Sequence, residues 1–554
     1  MNNVKALFTF LLMGQTLLLM GQADSTSTGG QIVTGEVVIE KNKEILLPKA
    51  DKYYKKAELK TFNSQPTNPE FTIPEPALEW PPYKTEVPFT TVESVYPLAD
   101  YQNYARLGYG NFNSLLAEVG LFHRFDEWQT GAKVFFEHFG KGPINDENSA
   151  STNFNLNLFG RRKWEAVSLK PYLKYSLDRF NFYGNTNRIN TGYTDEQVDP
   201  AALGALNIGV RLENQSGEVK YHIKPWLQHT SHTIRSGRSI NTETVFNGEA
   251  SVTYRIDKAL NTGLNVEAHA GQYKGGFSYN RSLFTLNPWV GYKGNHYKLK
   301  GGFIVATSES NNESKTGFYP DLHGELTLAP DWSVYGSFTG GVSWNGLNDV
   351  LQQNNFMDDS LALLNTETTS QIEGGVKGSP LKNMILKGGI SLTNLKNLPI
   401  YVPSASDSSR YSLTYDAGTI TRFTIFTDVS FSPTNVSTYG ASLNIHNYST
   451  DTLDRPWHLP NYEFAFYTVH NINSKLIASA NLIAMGGMKA PANIDFGIAA
   501  LDPIFDLSLS LKYLFNKRTS AFVDINNLIG NEYERYLGYP IRGLGFKVGA
   551  EYRF

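Results

Sequence analysis

Alternation of apolar and polar residues is the main pattern of the chain after about residue 103. In its last ten residues, GFKVGAEYRF, Phe546, Val548 and Tyr552 fall on one side of an extended strand, and glycines and charged residues fall on the other. Side chains alternate between the two faces of a strand, so this period of two predicts a strand with one apolar and one polar face. The stretches FTIFTDVSF (423–431) and DLSLSLKYLF (506–515) repeat the pattern.

The connections between predicted strands alternate between short and long. The first candidate strands cover residues 104–112, 115–125, 130–140 and 152–160. Short links lie near residues 126–129, 163–168, 215–217, 257–260, 294–296, 329–331, 378–383, 432–435, 471–474 and 516–518. Longer polar stretches separate most of them, at 141–151, 184–202, 231–242, 308–315, 346–366, 399–419, 449–459, 486–497 and 527–540. This alternation is typical of transmembrane β-barrels, which have short periplasmic turns and long extracellular loops.

The pattern therefore predicts an all-β fold, a transmembrane antiparallel β-barrel of about 22 strands. Ten short links that alternate with outer connections, of which the first (near 111–114) is short, indicate that number, and it is even, as single-chain bacterial barrels require. A sheet that spans a membrane has to close, because lipid offers no partner to an unpaired backbone group. We expect the last strand to pair with the first, with its apolar face toward lipid and its polar face lining a wet lumen.

The amino-acid composition excludes several kinds of chemistry and of partner. The chain has 554 residues, 13% aromatic residues and no cysteine, so disulfides, thiolate catalysis and iron–sulfur clusters are excluded. The net charge is −3, from 49 basic and 52 acidic residues, which does not indicate a nucleic-acid partner. After the first twenty residues no apolar run approaches the roughly 20 residues of a membrane-spanning helix.

The first hundred residues differ from the rest. Residues 1–23 predict a cleaved signal peptide, with Lys5 before the apolar run 6–20; an uncleaved anchor helix is the alternative. In the segment 24–100, eight prolines lie between Ser64 and Pro97 and favour extended backbone. Two interpretations of this segment stay open: a flexible leader, or an extended periplasmic or lumenal segment that binds a partner or the interior of the barrel.

Residues 522–554 resemble the end of TonB-dependent receptor barrels. The matching residues are, in order, Asn527-Leu528, Tyr533-Glu534, Gly538-Tyr539-Pro540, Gly543 and Arg553-Phe554. The stretch 98–122 is also similar to the first hairpin of such barrels from Bacteroidota. The resemblance covers residues 103–554 and implies a 22-stranded transport barrel in the cell outer membrane of a Gram-negative bacterium. It predicts a barrel domain at 101–554.

The same resemblance implies an N-terminal plug domain, but no plug-like run of strands with glycine-rich turns appears before residue 103. We therefore predict a transport or receptor barrel without a complete plug, whose lumen is closed by segment 24–100, by infolded outer loops or by a partner. The alternative is a structural or accessory subunit of an outer-membrane complex for protein assembly or secretion. Expected partners are outer-membrane lipids, and periplasmic or surface lipoproteins or other outer-membrane subunits.

The sequence indicates no enzyme: no nucleophile elbow or catalytic constellation stands out, so no catalytic, cofactor-binding or metal-binding residue and no cofactor is predicted. His229 and His232 are the only close pair of histidines, with His222 earlier in the same stretch, and as a metal site they lack a clear third ligand. Residues 143–151 (PINDENSAS) offer oxygen ligands, but not in the spacing of a calcium loop.

Two short motifs and a set of aromatic residues remain. Asp359-Ser360-Leu361 and Asp451-Thr452-Leu453, both in predicted outer loops, are similar to the Asp-Ser/Thr-apolar O-glycosylation sites of Bacteroidota. Five tryptophans could be platforms for sugar stacking, but we interpret them mainly as residues of the interfacial girdle. They are Trp226, Trp289, Trp332, Trp344 and Trp457.

Overall fold

A closed sheet of 22 antiparallel strands forms the body of the protein. The computed structural model describes residues 103–144, 146–184, 198–214, 217–234, 239–310, 313–492 and 497–554. The predicted signal peptide (1–23) and the proline-rich segment (24–100) lie outside the described residues. Among the described residues, no helix has the length and apolar character needed to cross a membrane.

The strands follow one another around the ring in chain order. Those of the barrel are β1 (Tyr104–Gly110), β2 (Ser114–Phe125), β3 (Trp128–Phe139), β4 (Ser151–Lys163), β5 (Val167–Asn181), β6 (Pro200–Asn214), β7 (Val219–Ile234), β8 (Ser239–Arg255), β9 (Leu260–Lys274), β10 (Ser278–Lys293), β11 (Tyr297–Ser310), β12 (Glu313–Ala329), β13 (Trp332–Ser343), β14 (Thr366–Gly378), β15 (Met384–Lys396), β18 (Ile420–Thr434), β19 (Ser437–Ser449), β20 (Tyr462–Asn471), β21 (Leu476–Gly486), β24 (Ile504–Leu514), β25 (Thr519–Asn526) and β28 (Gly545–Arg553).

Short elements decorate one end of the barrel. Three two-stranded hairpins lie in its loops: β16 (Ile400–Pro403) with β17 (Tyr411–Thr414), β22 (Lys489–Pro491) with β23 (Ile498–Ala500), and β26 (Glu534–Tyr536) with β27 (Tyr539–Pro540). The same end carries a 3₁₀ helix (Asp146–Ser149) and one α-helix of the described residues, α1 (Leu347–Gln353).

The predicted closure is confirmed. Strand β28 pairs with β1 along all seven residues of the shorter strand. Phe546 and Val548 of β28 are exposed on the outer face, whereas Lys547 and Glu551 are buried on the inner face. The apolar side chains of this strand face outward, where a membrane-spanning barrel meets lipid, so their orientation agrees with a barrel of that kind.

The two ends of the barrel differ in their connections. Ten connections of two to five residues join the strands at one end, which we call the turn end. At the other end, which we call the loop end, seven connections have 11 to 23 residues and four have two to four. The predicted loops 231–242 and 308–315 are among the short ones: β7 runs to Ile234, and β11 runs to Ser310. These strands continue as polar hairpins, so the polarity of their sequence does not mark a loop.

Many charged side chains on the inner face are paired with a charge on the adjacent strand or on a strand two or three positions further round the ring. Arg106 of β1 lies 2.8 Å from Asp524 of β25, and Lys512 of β24 lies 2.7 Å from Glu551 of β28. Similar pairs join Lys300 to Asp321 at 2.8 Å, Lys377 to Glu325 at 2.8 Å, His222 to Glu249 at 2.8 Å, and Lys547 to Glu137. Burying a charge is costly unless it is paired, so pairing is what allows these charges to lie on the inner face of the wall.

Candidate functional site: the loops over the barrel mouth

Three long loops meet over the mouth of the barrel at its loop end. They follow β13 (residues 344–365), β15 (397–419) and β25 (527–544). Their apolar side chains share one buried cluster with residues of β5, β6, β7 and β9. The members include Phe180, Leu203, Ile234, Tyr273, Leu347, Val350, Leu351, Phe356, Met357, Leu361, Leu363, Tyr401, Tyr411, Tyr536 and Tyr539.

The ring order shows why these loops must cross the mouth. Strand β25 adjoins β28, which closes against β1, and β13 to β15 lie several strands beyond β9. Loops that start at such distant positions can share a core with β5 to β9 only by folding inward over the lumen. We call the loops 344–365, 397–419 and 527–544 the loop cap.

Helix α1 lies at the centre of the loop cap. Leu347, Val350 and Leu351 recur at helical spacing and are all buried, so one face of the helix is apolar. The side chain of Asp349 accepts a 2.9 Å hydrogen bond from the N–H of Gly346, which satisfies one of the free donors at the helix N-terminus. Burial raises the pKa of Asp349. A seven-residue helix is unstable alone, so packing in the loop cap is what maintains it.

Arg281 of β10 fixes both stems of the 344–365 loop to the barrel wall. It forms a buried ion pair with Glu243 of β8 at 3.0 Å. Its guanidinium donates to the carbonyl of Asn345 at 2.9 Å and to the side-chain oxygen of Asn365 at 2.7 Å. Glu243 accepts the N–H of Leu347 at 2.6 Å. Arg281 and Glu243, with the three loop groups that they bind, are called the latch.

Trp344 packs against the latch, between Arg281 and His269. Its ring lies 4.2 Å from the guanidinium carbon of Arg281 and stacks on His269, with ring centroids 5.3 Å apart. A cation over an aromatic face is attracted electrostatically, and the attraction strengthens when water is excluded. The latch is therefore held by an ion pair, by hydrogen bonds to the loop backbone and by an aromatic ring.

Aromatic contacts join the three loops of the cap to each other. The Tyr539 ring stacks on Phe356 with centroids 3.5 Å apart and meets Tyr183, which follows β5, at 5.1 Å. The Tyr411 hydroxyl donates to the carbonyl of Leu537 at 2.6 Å. Each loop therefore depends on the others for its buried surface, and the loop cap is expected to open as a unit.

Asp416 connects the loop cap to the neighbouring loop 450–461. Its carboxylate accepts the N–H groups of Thr452 and Leu453 at 3.0 Å each, and that of Gly418 at 2.8 Å. Burial disfavours the charged form, but these hydrogen bonds favour it more strongly and lower the pKa of Asp416. The Thr452 hydroxyl, part of the Asp-Thr-Leu motif, also donates to Asp416 at 3.1 Å and is a component of this clamp.

His458, in the same 450–461 loop, is a buried and uncharged component of the contact. It is 1% exposed, and its Nδ1 lies 3.0 Å from the carbonyl of Tyr401, so Nδ1 carries the proton. Burial and the nearby guanidinium of Arg535 lower the pKa of His458 to about 3. Protonation would place an unpaired charge between Tyr411 and Tyr536, whose rings pack on it.

The structure separates the three histidines considered as metal ligands. They all belong to β7, whose pairing with β8 is regular, so His222 and His232 face inward and His229 faces outward. His222 is bound to Glu249, and His232 stacks on Phe180 with centroids 6.3 Å apart. Within the described ranges no group of three His, Cys, Asp or Glu side chains is placed to hold a metal ion.

The two remaining loop motifs contribute to the structure of the loops at the loop end. In the stretch 143–151, the Ser149 hydroxyl donates to the carbonyl of Ile144 at 2.6 Å and closes a local turn. In the Asp-Ser-Leu motif, Ser360 is exposed while Leu361 is buried in the loop cap.

Four of the five tryptophans lie away from the outer girdle. Only Trp332 among these five lies on the outer face, at the turn end of β13. Trp226 and Trp289 face the lumen beside Lys224 and Lys300. The other two are part of the loop-end structure: Trp344 lies at the latch, and Trp457 is buried in the loop 450–461.

Neither helix α1 nor the latch is predicted from the sequence pattern. The spacing of Leu347, Val350 and Leu351 was the available indication of a helix. The latch had no such indication, because Arg281 and Glu243 are paired through the register of β8, β9 and β10 and not through the sequence.

Sequence comparison identifies no relative: no protein-family model matches the chain, and no curated protein matches it. Solved structures match its fold. The FrpB iron transporter from Neisseria meningitidis (F3-3 variant) matches with a TM-score of 0.66 and 10% identity, over 82% of each chain. The copper transporter OprC matches with a TM-score of 0.61 and 12% identity, over 82% of this chain and 81% of its own. The ferric-catecholate import receptor Fiu from Escherichia coli K12 matches with a TM-score of 0.61 and 11% identity, over 82% of each chain.

These neighbours are TonB-dependent outer-membrane receptors. At such low identity the likeness establishes the fold, a 22-stranded barrel of the kind predicted from residues 522–554, and does not by itself transfer an activity.

Proposed function

We propose that this chain is a transport or receptor barrel of the TonB-dependent receptor type in the cell outer membrane of a Gram-negative bacterium. The loop end faces the outside of the cell and the turn end faces the periplasm. The observation that carries the proposal is the loop cap, which is latched to inward-facing residues Glu243 and Arg281 of the wall. A barrel of this size has a lumen wide enough to need a closure, and this closure is made of loops that can be released.

The wall supports the same conclusion. Its inner charges are arranged as pairs such as Arg106 with Asp524 and Lys512 with Glu551, so the lumen is polar without a large charge of one sign. A polar lumen offers little resistance to a hydrophilic solute once the cap is open. Structural neighbours whose names describe transport of iron, copper and ferric catecholates add weight to transport.

A signal peptide at residues 1–23, a Bacteroidota origin and an incomplete plug are part of the proposal. The signal peptide is supported by Lys5 and the apolar run 6–20, the origin by the sequence resemblance, and the incomplete plug by the lack of a plug-like run of strands before residue 103. For the segment 24–100, which lies outside the described residues, both sequence interpretations remain. Lipids are the expected partners of the exposed apolar face of β28 and its neighbours.

The function can be tested in cells through outer-membrane permeability. Residues 346–364 can be removed with little strain, because the stems are close: the side-chain amide of Asn345 donates to the Thr366 hydroxyl at 2.7 Å. We expect cells that make the deletion variant to become sensitive to vancomycin, which is too large and polar to pass an intact outer membrane. Cells that make the wild-type chain or Lys512→Met, a wall substitution far from the cap, should stay resistant. Equal resistance of all strains, with the deletion variant folded in the membrane, would contradict a lumen closed by the cap.

The alternative role, a subunit of an assembly or secretion complex, is tested by purifying the tagged native protein in mild detergent. Transport predicts that the barrel is recovered alone or with substoichiometric partners. Stoichiometric recovery of assembly or secretion proteins, identified by mass spectrometry, would replace the transport proposal. Surface or periplasmic lipoproteins recovered with the barrel would identify accessory partners of a transporter.

A further inference from the structure

One sector of the inner wall has cations without a carboxylate partner. These side chains face the lumen in the register of their strands, and none of them forms an ion pair with any of the described residues. They are Lys133 of β3, Arg161 of β4, Lys174 of β5 and Lys220 of β7. We call them the lumenal cations. Lys174 and Lys220 are fully in the exposed class, so their charges are open to a partner.

The carboxylates of the same sector are held by other groups. The inner faces of β3 to β7 carry three carboxylates among the described residues. Their contacts are those of Glu213 with Lys170 and with Arg211, of Glu137 with Lys547, and of Asp178 with the side-chain amide of Asn153. The sector therefore has a local excess of positive charge, on one side of a wall whose charges are otherwise mostly paired.

The lumenal cations extend from the turn end to the middle of the wall. Lys133 and Lys174 lie in one row across the wall, two strands and therefore about 10 Å apart. The other two lie closer to the turn end. The ammonium group of Lys133 is 6.0 Å from the centre of the Phe122 ring, and that of Lys174 is 5.7 Å from the centre of the Tyr172 ring. An aromatic face attracts a cation but does not neutralise its charge.

The stretch that directly precedes Asn103 carries the opposite charge. Residues 78–102 contain four carboxylates and one lysine, which gives a net charge of −3. The carboxylates follow one another at intervals of seven residues, at Glu79, Glu86, Glu93 and Asp100. Four prolines in the same stretch favour an extended chain, which loses little conformational freedom when it binds. Its charge and its stiffness therefore suit a cationic wall built of strands.

The chain connection starts this stretch at the turn end of the lumen. The carbonyl of Asn103 accepts the N–H of Phe554 at 2.9 Å, and its side-chain oxygen accepts the N–H of Phe122 at 2.7 Å. Neighbouring strands lie about 4.8 Å apart, so β3 to β7 are roughly 10 to 30 Å from β1 along the wall. An extended chain with the length of 78–102 spans up to about 80 Å. All four lumenal cations are therefore within its reach.

We propose that residues 78–102 enter the lumen from the turn end and bind along the inner faces of β3 to β7, with their carboxylates paired to the lumenal cations. Ion pairs of this kind are individually weak, but the covalent link to β1 gives the segment a high effective concentration at the wall. A single extended chain does not fill the wide lumen of a 22-stranded barrel, so the loop cap remains the closure at the loop end. The inference holds whether the barrel transports a solute or serves in a complex.

The test is photo-cross-linking in the folded, full-length protein in lipid vesicles. The photoreactive residue p-benzoylphenylalanine replaces Phe89 in one variant and Tyr96 in another, because these aromatic positions lie between carboxylates of the segment. After irradiation, the cross-linked peptides are identified by mass spectrometry. We expect both variants to form cross-links with peptides of β3 to β7.

Charge reversal tests whether the contact is electrostatic. Lys133→Glu combined with Lys174→Glu should lower the yield of these cross-links roughly fivefold or more, because two attractions become repulsions. The matched control, Lys133→Arg with Lys174→Arg, keeps both charges and should leave the yield unchanged. Glu86→Lys with Glu93→Lys reverses the segment instead, leaves the barrel strands unaltered and should cause the same loss, so the test stands even if the reversed wall does not fold. Combining the two reversals should restore the yield.

Three results would overturn the inference. The first is cross-links confined to the turn-end rim, to another sector of the wall or to a different protein. The second is an equal yield in the charge-reversed and the charge-keeping variants. The third is binding of citrate, as an anionic probe, that is lost in the Lys133→Glu, Lys174→Glu variant while the segment forms cross-links elsewhere. That third result would assign the lumenal cations to an anionic solute.

Discussion

Replacing Arg281 with methionine is expected to release the loop cap while leaving the barrel intact. Arg281 and Glu243 are each 2% exposed, so the substitution leaves the Glu243 carboxylate buried without its cation. It also removes the two hydrogen bonds that hold Asn345 and Asn365. The backbone hydrogen bonds between β8, β9 and β10 do not depend on these side-chain bonds. The substitution should therefore shift only the local equilibrium between the closed and the open loop cap.

The expected increase in the population of the open loop cap follows from the burial of the Arg281–Glu243 pair. Removing one member of a buried ion pair costs about 3–5 kcal/mol, and about 1.4 kcal/mol corresponds to a factor of ten. The population of the open cap should therefore rise roughly a hundredfold to a few thousandfold. Hydrogen–deuterium exchange of the peptides covering 344–365 measures this population directly, because amide exchange in helix α1 requires opening.

Two further variants make the reasoning refutable. Arg281→Met combined with Glu243→Gln removes the stranded charge and keeps an acceptor for the Leu347 N–H, so exchange should be slower than in the single variant by about tenfold. Lys512→Met breaks a wall pair near the turn end and should not change exchange of 344–365. If Arg281→Met left that exchange unchanged in a folded barrel, the latch would not be what closes the cap.

Three other predictions concern the loops and the wall. Asp416→Ala should speed hydrogen–deuterium exchange of residues 450–461. In the wild type the pKa of Asp416 is lowered, so its contribution to the stability of the loop contact is fully present above its ordinary pKa of 3.8. That contribution is lost as the pH falls through the lower pKa of the folded state. For His458, whose pKa falls from 6.5 to about 3, the stability of the loop contact should decrease as pH drops from about 6.5 toward 3, and His458→Gln should flatten that profile in the same exchange experiment. Val548→Arg, on the outer face of β28, should destabilise the barrel in lipid vesicles by about 2–4 kcal/mol. The control Lys517→Glu, in an exposed turn, should change the stability by less than about 0.5 kcal/mol. Equal effects of the two substitutions would contradict a lipid-facing position of Val548.

The barrel could be predicted from the sequence because each strand repeats a local rule. The period-two pattern of β24 and β28 indicates which face meets lipid, and the turns between strands interrupt this pattern at regular intervals. All ten turns were located, and the count of 22 strands follows from them. The closure of β28 on β1 followed from the need to pair every backbone group in lipid.

The loop end could be predicted only in part, because its structure depends on contacts between distant segments. The sequence pattern predicts loops at 231–242 and 308–315 because these hairpin ends are largely polar, but strands beyond the lipid need no apolar face. The buried contacts of Tyr411 and Tyr539 join segments that are far apart in the chain. Nothing local in the sequence marks which tyrosine reaches which carbonyl.

The most direct test of the account is single-channel recording in planar lipid bilayers. The wild-type protein and the variant without residues 346–364 would be compared at equal amounts of folded, inserted protein. We predict that the wild type conducts rarely and briefly, whereas the deletion variant shows large and sustained conductance, because the loop cap is the closure at the loop end. A wild-type protein that conducts as strongly as the deletion variant would contradict the central claim, since the loop cap would then not close the barrel.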